Sequence, residues 1–271
     1  MKRFRRRRSL GLLALTIATI MYAWAHLSLE TRFQAAARWS GVFLFALICG
    51  LGLFNARKKL PFVPLLSATT WMQVHIYAGF FAVVVFLFHT GFRAPTGGLE
   101  ILTYTLFVAV ALSGVIGLAL SRALPPRLTA HGENVVFERI PGIIANLRSE
   151  LERLVLASEA KTHSSTIADF YETRLALFFS RPRHLWSHLV SSPRPLNNLL
   201  ERIEALDRYL DEDEKETSAR IAEIVRAKNN LDHQWHLQGL LKVWLFVHIP
   251  LSFALLIFAA AHGWIAWRFT G

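Results

Sequence analysis

The chain has 271 residues, is 53% hydrophobic and carries a formal net charge of +11. It contains five long apolar runs, a pattern typical of polytopic membrane proteins rather than soluble domains. The runs are Leu10 to Leu29, Trp39 to Ala56, Trp71 to Phe92, Ile101 to Ser121 and Leu240 to Trp267. The sequence has one cysteine, Cys49, which lies within an apolar run. One cysteine cannot form a disulfide framework or ligate an iron–sulfur cluster.

The positive charge is concentrated beside the apolar runs. Between Arg122 and Gly239, 16 Lys and Arg stand against 17 Asp and Glu, so the other 14 basic residues face only Glu30 and Glu100. This distribution fits the positive-inside rule, and the basic residues can also meet anionic membrane lipid. It therefore argues against nucleic acid as a partner.

The basic lead from Met1 to Arg8 predicts a cytoplasmic N-terminus, so the first run should cross outward. An Ala-x-Ala pattern at Ala23 to Ala25 leaves a cleaved signal peptide as an alternative. A retained anchor is favoured because the run continues to Leu29 and reaches membrane-spanning length. The second run returns to the cytoplasm at Arg57 to Lys59, and the third crosses outward to a turn at Arg93 to Gly98.

The fourth run comes back and is expected to end at Pro125-Pro126, where a cytoplasmic all-α region begins. In this region a helix is predicted from Thr166 to Phe179, with breaks at Arg181-Pro182 and from Ser191 to Pro195. The acidic stretch from Asp211 to Glu214 suits the N-terminus of another helix, which is expected to run into the last span.

We therefore predict an all-α, polytopic membrane helical bundle of five spans, with a cytoplasmic helical insert before the last span. The membrane region with spans one to four covers residues 1–121, the cytoplasmic domain 122–239, and the last span 240–271. The N-terminus and the insert are cytoplasmic, in a bacterial-type inner (cytoplasmic) membrane. The third and fifth spans then run parallel.

Two histidines lie fourteen residues apart in each of these parallel spans: His75 and His89 in one, His248 and His262 in the other. In a helix, fourteen residues rise about 21 Å and make almost four turns, so both histidines share a face. His75 should therefore face His248 near the inner leaflet, and His89 should face His262 near the outer one. Ordinary polar contacts between helices are the alternative, but two matched pairs of costly ionisable groups favour a function.

A facing histidine pair in an apolar bundle suits a b-type haem, and with both axial positions filled it favours electron transfer. This pattern resembles the dihaem cytochrome b of bc-type complexes and, more loosely, the cytochrome b subunits of other quinone-linked oxidoreductases. The resemblance covers the second to fifth spans. It implies that His75 and His248 ligate the inner of two non-covalent b haems, and that His89 and His262 ligate the outer.

Three features differ from the bc-complex protein: the large insert, the extra first span and the missing Pro-Glu-Trp motif. We therefore expect a stand-alone member of the dihaem group with a different partner. It would be the cytochrome b electron-transfer subunit of a membrane oxidoreductase, with no catalytic residue of its own. Electrons would pass between a membrane quinone or quinol pool and a partner redox protein on one face, and quinone is a candidate second ligand.

Gly50, Gly114 and Gly117 would let a flat macrocycle lie against helix backbone near the inner pair. Packing of small residues between helices, with Ser113 included, is the alternative. Arg93, four residues after His89, is a candidate partner for a haem propionate, with snorkelling to the interface as the alternative.

Other histidines carry weaker signals. His26 is expected to be an interfacial polar group, with contact to haem or quinone as the alternative. His233 and His236 are expected to be solvated or capping groups, with an inner-face quinone pocket as the alternative. Three more show no partner pattern and are expected on the surface: His163, His184 and His188.

Two other classes of function stay open at this point. One is a non-redox membrane adaptor or sensor whose cytoplasmic helical domain binds a partner, which predicts a colourless protein. The other is a transporter that uses membrane histidines as proton relays, which predicts pH-dependent flux.

Overall fold

The computed structural model describes residues 2–32, 36–55, 67–129, 135–182, 184–190 and 192–269. Every regular element in these ranges is helical, which confirms the all-α prediction. The chain divides into two compact units. Unit 1 is Met1–Ala119 with Trp244–Gly271, and unit 2 is Leu120–Val243.

Ten α-helices lie in the described part of the chain: α1 (Lys2–Arg32), α2 (Ala36–Gly52), α3 (Ala68–His89), α4 (Gly98–Thr129), α5 (Ile140–Thr162), α6 (Thr166–Phe170), α7 (Ala176–Phe179), α8 (Leu185–Leu189), α9 (Arg194–Leu206) and α10 (Glu212–Phe269). Short 3-10 turns follow α2 and α9 and precede α5, and a π-helical turn, Tyr171–Leu175, joins α6 to α7.

Four of these helices, α1, α3, α4 and α10, contain stretches long and apolar enough to cross a membrane. The predicted second span corresponds to α2, which is apolar but has 17 residues. The basic stretch Arg57 to Lys59, which would mark the inner end of that span, lies outside the described residues. The count of five spans therefore stays a prediction.

The expectation that Pro125-Pro126 ends the fourth helix is wrong, because α4 continues to Thr129. Each proline removes one backbone donor, but the N–H groups of the three residues that follow can still reach carbonyls within the helix. The Arg127 guanidinium also donates to the Leu189 carbonyl at 2.7 Å, which ties the last turn of α4 to α8.

Unit 1 has an apolar core at the middle of its bundle. Ala82, halfway between His75 and His89, and Leu255, halfway between His248 and His262, are both buried there. The rings of Phe86 and Phe107 stack beside them with centroids 4.0 Å apart and planes at 10°. Packed hydrocarbon therefore separates the two levels at which the histidines lie.

Unit 2 has its own core, formed by residues of α5, α6, the π turn, α7, α9 and the first part of α10. The predicted helix from Thr166 to Phe179 is present as α6, the π turn and α7. The acidic start of α10 is a capping box, in which Glu214 N–H donates to Asp211 Oδ1 at 2.7 Å and Asp211 N–H donates to Glu214 Oε2 at 3.1 Å. The helix then runs unbroken to Phe269, as the sequence predicts.

Candidate functional site

The histidines of unit 1 occur in two pairs, contributed by α3 and the C-terminal part of α10. His75 lies within range of electrostatic interaction with His248, and His89 with His262. Seven residues separate each histidine from the buried midpoint of its helix, so the pairs lie about 10 Å on either side of the apolar core. The structure brings together the histidines that the sequence pairs, while their role as haem ligands stays a prediction.

The outer pair is supported by α2. Ser40, which is 3% exposed, places its Oγ 3.0 Å from Nδ1 of His89 and donates its own proton to the Ala37 carbonyl at 2.9 Å. When Ser40 gives its one proton to the Ala37 carbonyl, the contact with His89 is made with Nδ1–H as the donor. An imidazole in that tautomer carries its lone pair on Nε2, the atom that can bind a metal.

Gly41 allows this close approach of α2 to His89. A Cβ at Gly41 would lie 2.9 Å from His89 Cε1, closer than real side chains come. His26 of α1 also interacts electrostatically with His89, and its ring lies 5.3 Å from that of Phe88. His26 is thus a neighbour of the outer pair, not only an interfacial group.

The inner pair is supported by α4. Ser113, which is 8% exposed, places its Oγ 3.1 Å from His248 Nδ1, and its carbonyl accepts a hydrogen bond from Trp244 Nε1 at 2.8 Å. The Trp244 indole stacks beside the His248 ring, with centroids 5.2 Å apart and planes at 23°. Trp244 occupies the space beside Gly117, where a Cβ would overlap its ring. The His248 ring is therefore held by both a hydrogen bond and a stacked aromatic.

The other inner histidine has a different environment. The His75 ring packs beside Phe54 at 4.6 Å between centroids. Its Nδ1 is buried and has no hydrogen-bond partner among the described residues. The two members of the inner pair are thus held unequally.

The remaining predicted site residues lie in varied surroundings. Gly114 is close to the inner pair, since a Cβ there would lie 3.9 Å from His248 Cε1. Gly50 faces open space, with no heavy atom within 4 Å of the position a Cβ would take. Arg93 is exposed just beyond the C-terminus of α3. Gly117 contacts the Trp244 indole, so this glycine takes part in packing between helices. A haem contact at Gly50, Arg93, Gly114 or Gly117 stays a prediction.

The donor set of unit 1 fits a bis-histidine haem. Such a haem needs two imidazole ligands and apolar walls, and both levels of the bundle have them. Within the described ranges no group of three or more His, Cys, Asp and Glu could hold a metal ion. A haem site needs only two protein ligands, because the porphyrin supplies the others.

A second group of histidines lies in unit 2, where the sequence predicts surface or solvated groups. The rings of His188 and His236 stack at 5.2 Å, and His188 meets His233 edge-on at 5.6 Å. His188 is 6% exposed and His233 is 3% exposed, so the expectations of a surface position for His188 and a solvated one for His233 are wrong. The quinone pocket, the alternative for His233, stays a prediction. Helix α8 places His188 against the face of α10 that carries the other two.

A buried ion pair lies one turn away on α10. Lys228 and Asp232 are both fully buried, with Nζ 2.5 Å from Oδ2, and Nζ also donates to the Arg181 carbonyl at 3.1 Å. Burial, followed by the neighbouring His236, His233, His184 and Lys228, lowers the pKa of His188 to about 3. His188 is therefore uncharged at neutral pH.

Three supporting residues were not singled out from the sequence as contacts of the histidines: Ser40, Ser113 and Trp244. A signal for the serines does exist, because Ser-Gly-Val occurs both at residues 40–42 and at residues 113–115. Nothing in the sequence marks Trp244, since its partner Gly117 lies on a distant helix.

No protein family, curated protein or solved structure matches this chain.

Proposed function

We propose that this chain is a multi-pass membrane cytochrome that carries electrons across the bilayer through two bis-histidine b haems. The observation that carries the proposal is the pairing of His75 with His248 and of His89 with His262 at two levels of one bundle. Half-buried histidines inside a membrane bundle are costly, and two matched pairs are difficult to explain by helix packing alone.

The proposed topology has five spans. Helix α2 has 17 residues, which is about the lower limit for crossing the hydrocarbon core, and a 3-10 turn extends it. The basic lead and the basic residues after α2 favour a cytoplasmic N-terminus and a cytoplasmic location of residues 122–239. A bacterial-type inner membrane fits this arrangement.

When bound, the two haems would supply one-electron transfer. The four histidines would hold and orient the two groups. The apolar core around Ala82 and Leu255 would keep water out between the two levels. Arg93 would pair with an outer propionate, and Gly50, which has no heavy atom within 4 Å of a Cβ position, would lie against a flat group beside α2.

We propose that the chain exchanges electrons with two reactants. One is a quinone or quinol within the membrane, and the second is a partner redox protein at one face. Oxidation of one quinol releases two electrons and two protons, so each quinol would serve two one-electron passages. The chain would act as the electron-transfer subunit of a membrane oxidoreductase.

Electron transfer can be tested in sealed liposomes that contain the purified protein, with ferricyanide inside and a short-chain quinol outside. We expect ferricyanide to be reduced only in liposomes with the protein, and the rate to fall to the background level in His75→Ala. Equal rates with wild type and His75→Ala would contradict the proposal. A colourless protein would favour the adaptor, and pH-dependent solute flux would favour the transporter.

A further inference from the structure

The two histidine pairs have the same kind of support from the same short motif. Ser40-Gly41-Val42 lies on α2 and Ser113-Gly114-Val115 lies on α4. Each motif contacts one histidine of one pair, His89 in the outer pair and His248 in the inner pair. The two contacts are made by different helices at different levels of the bundle.

The two contacts share one geometry at the serine and differ at the glycine. In both, the serine Oγ lies next to Nδ1, at 3.0 Å for His89 and 3.1 Å for His248. In both, a Cβ on the following glycine would have the histidine Cε1 among its nearest atoms, at 2.9 Å for Gly41 and 3.9 Å for Gly114. At Gly41 the absence of a Cβ lets the His89 ring approach the helix, whereas at Gly114 a Cβ would make an ordinary van der Waals contact with the His248 ring.

The outer contact favours one donor. Ser40 can place its only proton on the Ala37 carbonyl, and its Oγ then accepts from Nδ1–H of His89. Such a hydrogen bond would hold the ring in the tautomer whose Nε2 can bind iron, and it would make the imidazole a stronger electron donor.

We propose that the two Ser-Gly motifs are positioning elements, each of which fixes the tautomer and orientation of one axial ligand, His89 in the outer pair and His248 in the inner pair. This proposal rests on the proposed haem function. It assigns Ser113 the same accepting role as Ser40. Each haem then has one serine-held ligand, and in the inner pair the opposite ligand, His75, has no such partner among the described residues.

The positioning role predicts separate effects on the two haems. In Ser40→Ala we expect the outer haem to shift to a higher midpoint potential and to be retained about 10–100-fold more weakly, with the inner haem unchanged. Ser113→Ala should change only the inner haem in the same way. Ser40→Thr and Ser113→Thr, which keep a hydroxyl, should restore potentials close to those of the wild type.

Two matched controls separate positioning from general loss of packing. Ser252 donates to the His248 backbone carbonyl at 2.8 Å and not to its ring, so Ser252→Ala should leave both potentials unchanged. Thr90, the residue after His89, donates to the Leu87 carbonyl at 3.2 Å, and Thr90→Ala should also be neutral. Equal shifts in Ser113→Ala and Ser252→Ala would overturn the assignment, as would two unchanged haems in both motif variants.

A measurement on the haem-free protein keeps this inference distinct from the proposed function. With 15N-labelled histidine in detergent, the spectrum of His89 should report the Nδ1–H tautomer in the wild type and a shift towards Nε2–H in Ser40→Ala. If the protein binds no haem yet shows this change, the function fails and the serine contact stands. If haem binds and the His89 tautomer is the same in both proteins, the positioning role is wrong.

Discussion

The two groups of histidines in this chain differ in what surrounds them, and the difference separates a candidate cofactor site from a structural cluster. In unit 1 the rings pair across an apolar bundle at two levels, and two of them are held through Nδ1 by serines. In unit 2 the rings of His188, His233 and His236 pack against each other beside a buried Lys–Asp pair. If both serines accept from Nδ1–H, the first arrangement leaves two Nε2 atoms that could bind a metal, whereas the second packs its rings against each other.

The largest expected effect is loss of a whole haem. His75→Ala or His248→Ala should remove the inner haem, and His89→Ala or His262→Ala the outer, so each variant should contain about half the haem of the wild type by extraction. His188→Ala should keep both haems, because its ring belongs to the cluster in unit 2. If a variant of any of the four paired histidines retained both haems, the histidines of unit 1 would not be the haem ligands that distinguish this group from the cluster in unit 2.

The next largest effect concerns the buried pair beside the cluster in unit 2. Lys228→Met leaves the buried Asp232 carboxylate without its closest cation, which should cost about 3–5 kcal/mol. Faster hydrogen exchange across residues 140–239 would report this loss. Arg148→Met is the control, because Arg148 and Glu152 are 46% and 40% exposed and their pair should be worth less than about 1 kcal/mol. Equal losses in the two variants would contradict the burial argument.

The cluster should also make unit 2 sensitive to acid. The pKa of His188 is lowered to about 3 in the folded state, whereas an unfolded histidine has a pKa near 6.5. The unfolded state therefore binds a proton below about pH 6.5 while the folded state does not, and stability falls by up to about 1.4 kcal/mol per pH unit as the pH drops towards 3.

His188→Leu should remove the contribution of this histidine to the loss of stability at low pH. Hydrogen exchange of residues 184–190 and 228–236, measured at pH 7 and pH 5, would show it as a smaller difference than in the wild type. An unchanged difference would mean that other groups carry the acid sensitivity.

The smallest effect tests two glycines of unit 1 against each other. Gly117→Ala should cost about 1–3 kcal/mol and disturb the inner haem spectrum, because its Cβ meets the indole that stacks on His248. Gly50→Ala meets no protein atom and should leave the haem-free protein as stable as the wild type. If the inner haem lies against Gly50, that same variant will lower the occupancy of this haem, and full occupancy would exclude the contact.

The sequence predicts the helical class and the histidine pairs well, for local physical reasons. Apolar runs predict the helices in unit 1, and a spacing of fourteen residues predicts that two histidines share one face of a helix. The capping box at Asp211 and Glu214 is likewise a local signal. The prediction that the fourth helix ends at Pro125-Pro126 was wrong because proline disfavours a helix without always ending it. The hydrogen bond from Arg127 to the Leu189 carbonyl joins distant residues and could not be predicted.

The contacts that hold the rings could not be predicted in the same way, because they join distant parts of the chain. Ser113 and His248 are 135 residues apart, and Trp244 finds Gly117 only after α4 and α10 have packed. His188 lacks any sequence signal of burial, since its partners lie on another helix. The repeated Ser-Gly-Val was visible in the sequence, but its meaning depends on which ring each serine meets.

A reduced-minus-oxidised visible spectrum of the purified chain, combined with acid extraction and counting of haem, tests whether the four histidines hold two haems. We expect b-type absorption with about two extractable, non-covalent haems per chain, and two redox transitions on titration. A colourless protein, or a haem content that is the same in the wild type and in the His75→Ala, His89→Ala double variant, would contradict this expectation.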